Sequence, residues 1–298
     1  MTTRAAALVA GAILLAALAC EDATSPSGPA SIPSFVYVSD SAAIPGLVSY
    51  QNGTSTRLTS VSNNYDPNIA ANRMVFTSER DGYPQVYISD LGVTTPHRVM
   101  STGSFDRTPA LSPSADSIVF VSLRSGVPRL YLIRAPALNQ ANFDSAQALS
   151  TGSAGYTPED GPVWSPVGGK IAFTSVRGGN SQVYVVPSGG GAAVPLTSEG
   201  GGAFQPAWSA DGSKIYYIAA TPGYSLRVVS SMGGSATTVV PDSLLVGGPA
   251  SCNASFCLYS TGFGTASGTI SALAIGPDSS QTILARTSAM EREPAVIP

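Results

Sequence analysis

The chain has 298 residues, enough for one large all-β domain with a full core or for two small ones. Charged residues make up 11% and hydrophobic ones 43%, with 31 Gly and 23 Pro, a mixture that suits short strands broken by turns and not a helical bundle. The net charge of -3 supplies no basic face, which excludes nucleic acid as the expected partner.

In chain order, the first segment reads as targeting. Arg4 gives a short positive region, and Ala5 to Ala19 is an apolar run too short to span a bilayer comfortably. It ends at Ala17-Leu18-Ala19-Cys20, which resembles a bacterial lipoprotein signal with Cys20 as the lipidated first residue of the mature chain; the alternative is an ordinary secretory signal cut nearby. Residues 21–34, rich in Pro, Ser, Thr and Ala, read as a flexible tether. The expected organisation is a signal over 1–20, the tether over 21–34 and one folded unit over 35–298. The resemblance implies export and a lipid anchor in the bacterial cell envelope. Glu21 after the cysteine, in place of Asp, favours the outer membrane over the inner, with the folded part in the periplasm or at the cell surface.

Next comes a repeat. A Pro-x-x/Trp-Ser motif followed by an apolar strand recurs at Pro67, Pro109, Pro162, Pro206, Pro249 and Pro294, roughly 42 to 53 residues apart. Each proline is expected to open a first strand, where its missing N–H is harmless. Second strands follow at 74–78, 118–122, 171–175 and 215–218, third strands at 85–88, 129–132, 182–185 and 226–229. Weaker fourth strands follow at 98–99, 148–150, 195–197 and 238–240. Four strands per unit at this period imply a β-propeller. The last proline opens a first strand at the end of the chain, while 35–39, 47–50 and 56–59 supply three strands that lack a first one. Together they complete a sixth unit and remove two open sheet edges. The expected fold is an all-β, six-bladed propeller, its last blade closed by N-terminal strands and the C-terminal strand, and monomeric.

Pro162-Val163-Trp164-Ser165-Pro166, Pro206-Ala207-Trp208-Ser209-Ala210-Asp211-Gly212 and Ile171-Ala172-Phe173-Thr174-Ser175-x-Arg177 resemble the WD40-like (PD40) repeats of TolB-type β-propellers. The resemblance covers nearly all of the chain from Phe35. Blade five departs from it, with Ser251 where Trp is usual. The TolB member of that family carries an N-terminal α/β domain, whereas only the tether precedes the repeats here.

Enzyme signatures are scarce. His97, the single histidine, falls on an outer strand, and no Gly-x-Ser-x-Gly elbow accompanies it. One histidine also removes the His-rich metal sites and leaves zinc short of ligands. No catalytic residue, metal site or cofactor is therefore assigned, although a channel-bound cation such as calcium is compatible with the acids. Cys252 and Cys257, an even pair in an exported chain, favour a disulfide across one hairpin, with two buried thiols as the alternative.

The repeats present one decorated face. Before the prolines stand Tyr65, Asp66, Phe105, Asp106, Tyr156, Glu159, Asp160, Phe204, Glu291 and Glu293; in the returning turns stand Arg80, Arg124 and Arg177. Units one to three carry both acid and arginine, which marks the arginines as structural ion-pair candidates. Glu291 and Glu293 lack such an arginine in their own unit and stand open to a cation or basic partner. Acids beside aromatics at a funnel mouth have the composition of a protein-binding patch. The expectation is a non-catalytic envelope lipoprotein that binds a protein or peptide through this face. The competing class is a carbohydrate-binding or carbohydrate-active propeller of the lyase or hydrolase type.

Overall fold

The computed structural model describes residues 34–40, 44–92, 95–100, 103–134, 146–149, 151, 155, 157–220, 223–242, 246–253, 256–261, 269–274, 281–285 and 291–297. The expected signal and tether with Cys20, the side chain of Glu291, and Tyr156 lie outside the described residues.

Six antiparallel four-stranded sheets are present among the described residues. The first combines β1 (Phe35–Ser39), β2 (Gly46–Gln51) and β3 (Thr54–Arg57) with the last strand of the chain. The second holds β4 (Asn64–Ala70), β5 (Arg73–Ser78), β6 (Gln85–Asp90) and β7 (His97–Arg98). The third holds β8 (Asp106–Leu111), β9 (Ser117–Ser122), β10 (Arg129–Arg134) and β11 (Gln147–Ala148). The fourth holds β12 (Glu159–Trp164), β13 (Lys170–Gly178), β14 (Asn180–Pro187) and β15 (Val194–Pro195). The fifth holds β16 (Ala203–Trp208), β17 (Lys214–Ala220), β18 (Tyr224–Ser230) and β19 (Thr237–Val240). The sixth holds β20 (Gly247–Cys252), β21 (Phe256–Thr261), β22 (Thr269–Ala274) and β23 (Gln281–Ala285). β24 (Glu291–Val296) closes the first sheet by pairing with β1, Phe35 opposite Val296 and Ser39 opposite Glu291.

The apolar residues explain why the sheets stack. β5, β9 and β13 are buried on both faces along Met74–Ser78, Ile118–Ser122 and Ile171–Ser175, because each sheet has a neighbour on either side. The hydrophobic residues accordingly form six clusters, each shared by two adjacent sheets. Val75 and Ile88 pack with Phe120 and Ile133; Val119 and Leu130 with Phe173 and Val186; Ala172 and Val183 with Tyr217 and Val229. Ile218 and Leu226 pack with Cys257 and Tyr259; Leu258 and Ile270 with Phe35 and Tyr37; Val36 and Val38 with Met74 and Phe76. The succession returns to its start, and the first strands touch in the same cyclic order, β4, β8, β12, β16, β20, β24 and again β4. This is an all-β propeller.

One expectation is corrected. The repeat prolines do not open the first strands but lie in their middle, after a bulge. The register slips between Tyr65 and Asn68, Arg107 and Ala110, Asp160 and Val163, and Phe204 and Ala207. The residue before four of the prolines takes left-handed φ: 53° at Asp66, 47° at Thr108, 54° at Gln205 and 53° at Glu293. Proline disfavours the right-handed helical region for its predecessor, and the bulge turns that predecessor out of the ladder. Gly161, at 54°, adopts this conformation without a Cβ penalty. Three residues precede the proline in β4, β8, β12, β16 and β24, and two in β20.

Candidate functional site: the mouth of the central channel

Bulge residues and prolines of the first strands line a cavity of about 970 Å³ along the propeller axis. The sequence grouped the acids on one face as if equivalent; their register sorts them into two sets with different surroundings.

Three residues before the proline stand Asn64, Asp106 and Glu159, all fully buried. Each meets the arginine of its own sheet's returning turn. Arg80 donates through Nη2 to Asn64 Oδ1 at 3.4 Å, Arg124 to Asp106 at 3.2 Å, and Arg177 to Glu159 at 2.7 Å. The guanidinium groups also lie over tyrosine rings, Arg80 over Tyr87 at 4.4 Å, Arg124 over Tyr131 at 4.6 Å and Arg177 over Tyr184 at 4.7 Å. A serine two residues earlier, Ser78, Ser122 or Ser175, accepts from the arginine Nε. This Phe-x-Ser-x-Arg device clamps the turn to the first strand. Arg80 corrects the sequence expectation, since its polar partner there is an asparagine and not Asp66. Burial pushes the Asp106 carboxyl up, and Ser122 and Arg124 pull it back. Glu159 also accepts from Leu130 N–H at 3.1 Å and from the Thr151 hydroxyl, with Arg129 at 3.7 Å. Asp106 and Glu159, both sealed against their arginines, belong to the framework.

The channel set stands one and two residues before the prolines. Arg107 and Asp160 meet at 3.0 Å, a partly exposed pair between neighbouring first strands. Asp160 also accepts from Gly161 N–H at 2.9 Å. Asp66 accepts through Oδ2 from the Thr77 hydroxyl at 2.9 Å and from Thr108 N–H at 3.2 Å. Its own N–H donates to Glu293 Oε2 at 2.7 Å. Glu293, expected to stand open, is therefore engaged with the strand beside it. Enclosure foremost, then the charges of Glu293 and Asp160, push the Asp66 carboxyl up to about 7.

A simple rule governs these bulge N–H groups. The Thr of Phe76-Thr77-Ser78 accepts from Thr108 N–H at 3.1 Å, and Thr174 accepts from Gln205 N–H at 3.3 Å. At two junctions where the preceding sheet offers no hydroxyl, an acid takes its place. Val121 stands opposite Arg107 where Thr77 stands opposite Tyr65, and Gly161 N–H turns to Asp160. Val38 stands opposite Arg292 in the same register, and Asp66 N–H turns to Glu293. Asn64, Thr77, Arg107 and Thr108 were not singled out from sequence. Aligning the repeats on their prolines places Arg107 and Asp160 at the same step of consecutive units, the signal that could have found that pair.

The other half of the mouth is aromatic. Phe204 and Tyr224 line the channel with ring centroids 6.3 Å apart. Phe105, 49% exposed, leans on Tyr83 at 5.8 Å. Tyr65 is half-buried and donates to Glu79 at 2.7 Å; burial and that bond push its hydroxyl up. Trp164 and Trp208 reach back one sheet, their indole N–H groups donating at 3.1 Å to the carbonyls of Ala110 and Val163. Ser251, which replaces the third tryptophan, accepts instead from Val296 N–H of β24 at 3.1 Å.

His97 is exposed on β7, at the outer edge of its sheet. Cys252 and Cys257 face each other across the β20–β21 hairpin and are disulfide-bonded. Among the described residues no three His, Cys, Asp or Glu side chains gather as a metal-holding group.

Solved structures of similar fold agree with this geometry. TolB from Acinetobacter baumannii superposes with a TM-score of 0.73 at 22% identity, over 88% of this chain and 66% of that protein. This chain thus spans just under two thirds of that relative. A TolB-type protein from Agrobacterium tumefaciens matches with a TM-score of 0.66 at 13% identity, over 90% of this chain and 99% of the other. A chain of a nidogen–laminin complex matches at 0.67 and 10% identity, covering 89% and 98%. At these identities the likeness shows the fold alone. Residues 144–296, just over half of the chain, match the family described as PD40, TolB beta propeller domain. With its prolines, tryptophans and bulges in the places described, the chain belongs to the TolB β-propeller (PD40) family.

Proposed function

We propose that this protein is a non-catalytic, lipid-anchored propeller of the bacterial cell envelope that captures a protein or peptide segment at the channel mouth. The observation that carries the reading is the division of the mouth. Asp66, Asp160 and Glu293 stand on one side with Arg107 as their close counter-charge, and Phe204 with Tyr224 stand on the other. A cationic residue on an extended segment meets acids on one wall, while its neighbours meet aromatic faces on the other. The nidogen–laminin match is a propeller fold from a protein complex, which is consistent with this use of the scaffold. Six sheets acting as six blades, with Cys20 as the anchor and the outer membrane as its destination, complete the proposal.

The test is capture from envelope extract by the full-length chain and by an Asp160→Lys/Phe204→Ala variant. Both side chains are partly exposed, so the variant is expected to melt within a few degrees of the wild type. A discrete protein held by the wild type and lost from the variant supports the mouth as the site. Equal capture by both removes it. Cys20→Ser is expected to move the protein from the membrane to the soluble fraction, and retention in the membrane would contradict the anchor.

A further inference from the structure

Strand direction identifies the end of the propeller opposite the mouth. β24 starts at the mouth with Glu291 and ends at Val296, and β1 runs back beside it, Ser39 opposite Glu291 and Phe35 opposite Val296. The Ser34 carbonyl accepts from Ile297 N–H at 2.8 Å, so the chain enters the propeller at the far end. The β12–β13, β16–β17 and β18–β19 turns lie at that end too. β12 and β16 run away from the mouth as β24 does, and β18, antiparallel to β17, runs the same way.

On sheets four and five these turns build a continuous patch. Among the described residues, Met232 at 82% and Val167 at 71% are the most exposed large apolar side chains. The two lysines of the chain, Lys170 and Lys214, are exposed at the starts of β13 and β17, at the same end. A bond of 2.9 Å from Ser165 N–H to the Lys170 carbonyl closes the turn that carries Val167. Val167 leans on the turn of the next sheet, a methyl 2.9 Å from where a Cβ on Gly212 would stand. Ser231 N–H donates to the Ser213 carbonyl at 2.9 Å, which ties the turn of Met232 to that of Lys214. The acid in the patch is Asp211, engaged by the hydroxyls of Ser209 at 2.6 Å and Ser213 at 2.7 Å.

We propose that this patch is the face on which the propeller rests against its own membrane. Lys170 and Lys214 meet phospholipid phosphates, and Val167 and Met232 enter the boundary between headgroups and acyl chains. The inference rests on the lipid anchor proposed above and adds an orientation: the mouth points away from the bilayer, toward whatever it captures. Charge favours this partner, since the ion pairs among the described residues engage arginines and neither lysine. The point of entry favours it as well, because Ser34 and the patch share one end. Fourteen residue steps separate Cys20 from Ser34 and span at most about 50 Å. That reach exceeds the roughly 20 Å of a six-residue strand. The leash therefore lets the propeller turn, and its own surface decides which face settles.

The experiment uses the lipidated protein purified from envelope membranes, carrying a photocrosslinking residue at position 232 or, for comparison, at position 61. Val61 is 57% exposed beside Asn64 at the mouth end. The protein is reconstituted in vesicles of equal parts phosphatidylethanolamine and phosphatidylglycerol. Position 232 is expected to give about fivefold more lipid adduct than position 61, the net effect of two lysines and one aspartate near an anionic surface. Lys170→Glu/Lys214→Glu is expected to bring that ratio near one. A wild-type ratio at or below one would overturn the resting face, and so would a ratio that the charge reversal leaves unchanged. In native envelope membranes, a protein adduct from position 232 in place of lipid would overturn the bilayer as occupant. Failure of the protein to float with vesicles would remove the anchor and this inference with it, a result read separately from the adduct ratio.

Discussion

Replacing Glu159 by alanine leaves Arg177 without the carboxylate at 2.7 Å, Arg129 without the one at 3.7 Å, and Leu130 N–H without its acceptor. Glu159 is 0% exposed, so water cannot take its place directly, whereas Arg177 and Arg129 keep 14% and 19% of their side chains accessible. Removing one partner of a buried ion pair costs about 3–5 kcal/mol, and the partial hydration of both arginines argues for the lower half. In a domain of this size each kcal/mol moves the melting temperature by about 2–4 °C, so a drop of roughly 10 °C is expected. Asp160, the next residue, is 46% exposed and pairs with an arginine that is itself 33% exposed. Asp160→Asn is expected to cost about 0–1 kcal/mol, within 3 °C or so of wild type by the same conversion. The assay is calorimetric melting of both variants in one buffer. Equal shifts for the two would refute the division of the acids into framework and channel sets.

Three other outcomes follow from the same contacts. A Glu293→Gln variant that loses stability at pH 5 should recover when Val38→Thr is added, because the new hydroxyl reaches Asp66 N–H as Thr77 reaches Thr108. No recovery in the melting temperature of the double variant would contradict the acceptor rule. Cys252→Ala/Cys257→Ala opens a loop of sequence separation 5 and should cost about 2 kcal/mol on the chain-entropy argument; unchanged melting on reduction of the wild type would contradict it. A cationic peptide captured at the mouth should bind more tightly at pH 8 than at pH 6, since Asp66 ionises at about 7. Titration calorimetry checks this, and weaker binding at pH 8 would be the wrong sign.

The repeat was legible because its determinants are local. Proline, Trp-Ser and the Gly turns recur at a fixed step, and the apolar strands between them have nowhere to go but between sheets. The pairing of β24 with β1 was legible too, since three strands at one end lacked a first strand and one at the other end had no successors. The bulge was not. Strand periodicity assigns alternate residues to opposite faces, and the slip before each proline breaks that alternation where the site lies. Glu159 and Asp160 are adjacent in sequence, yet one is sealed against Arg177 and the other opens to the channel. Glu293 looked open because its partner is a backbone N–H 227 residues away, which no side-chain pattern announces. The valines at 38 and 121 were read only as strand formers; their meaning appears when they are aligned with Thr77 and Thr174.

Site-specific photocrosslinking in cells tests the central claim most directly. A crosslinking residue is placed at Gln205, on the channel wall, and in a second strain at His97, on the outer edge. Capture at the mouth gives a discrete adduct from position 205, lost when Asp160→Lys is added, and none from position 97. An adduct from position 97 alone, or one from 205 indifferent to Asp160→Lys, would contradict the account.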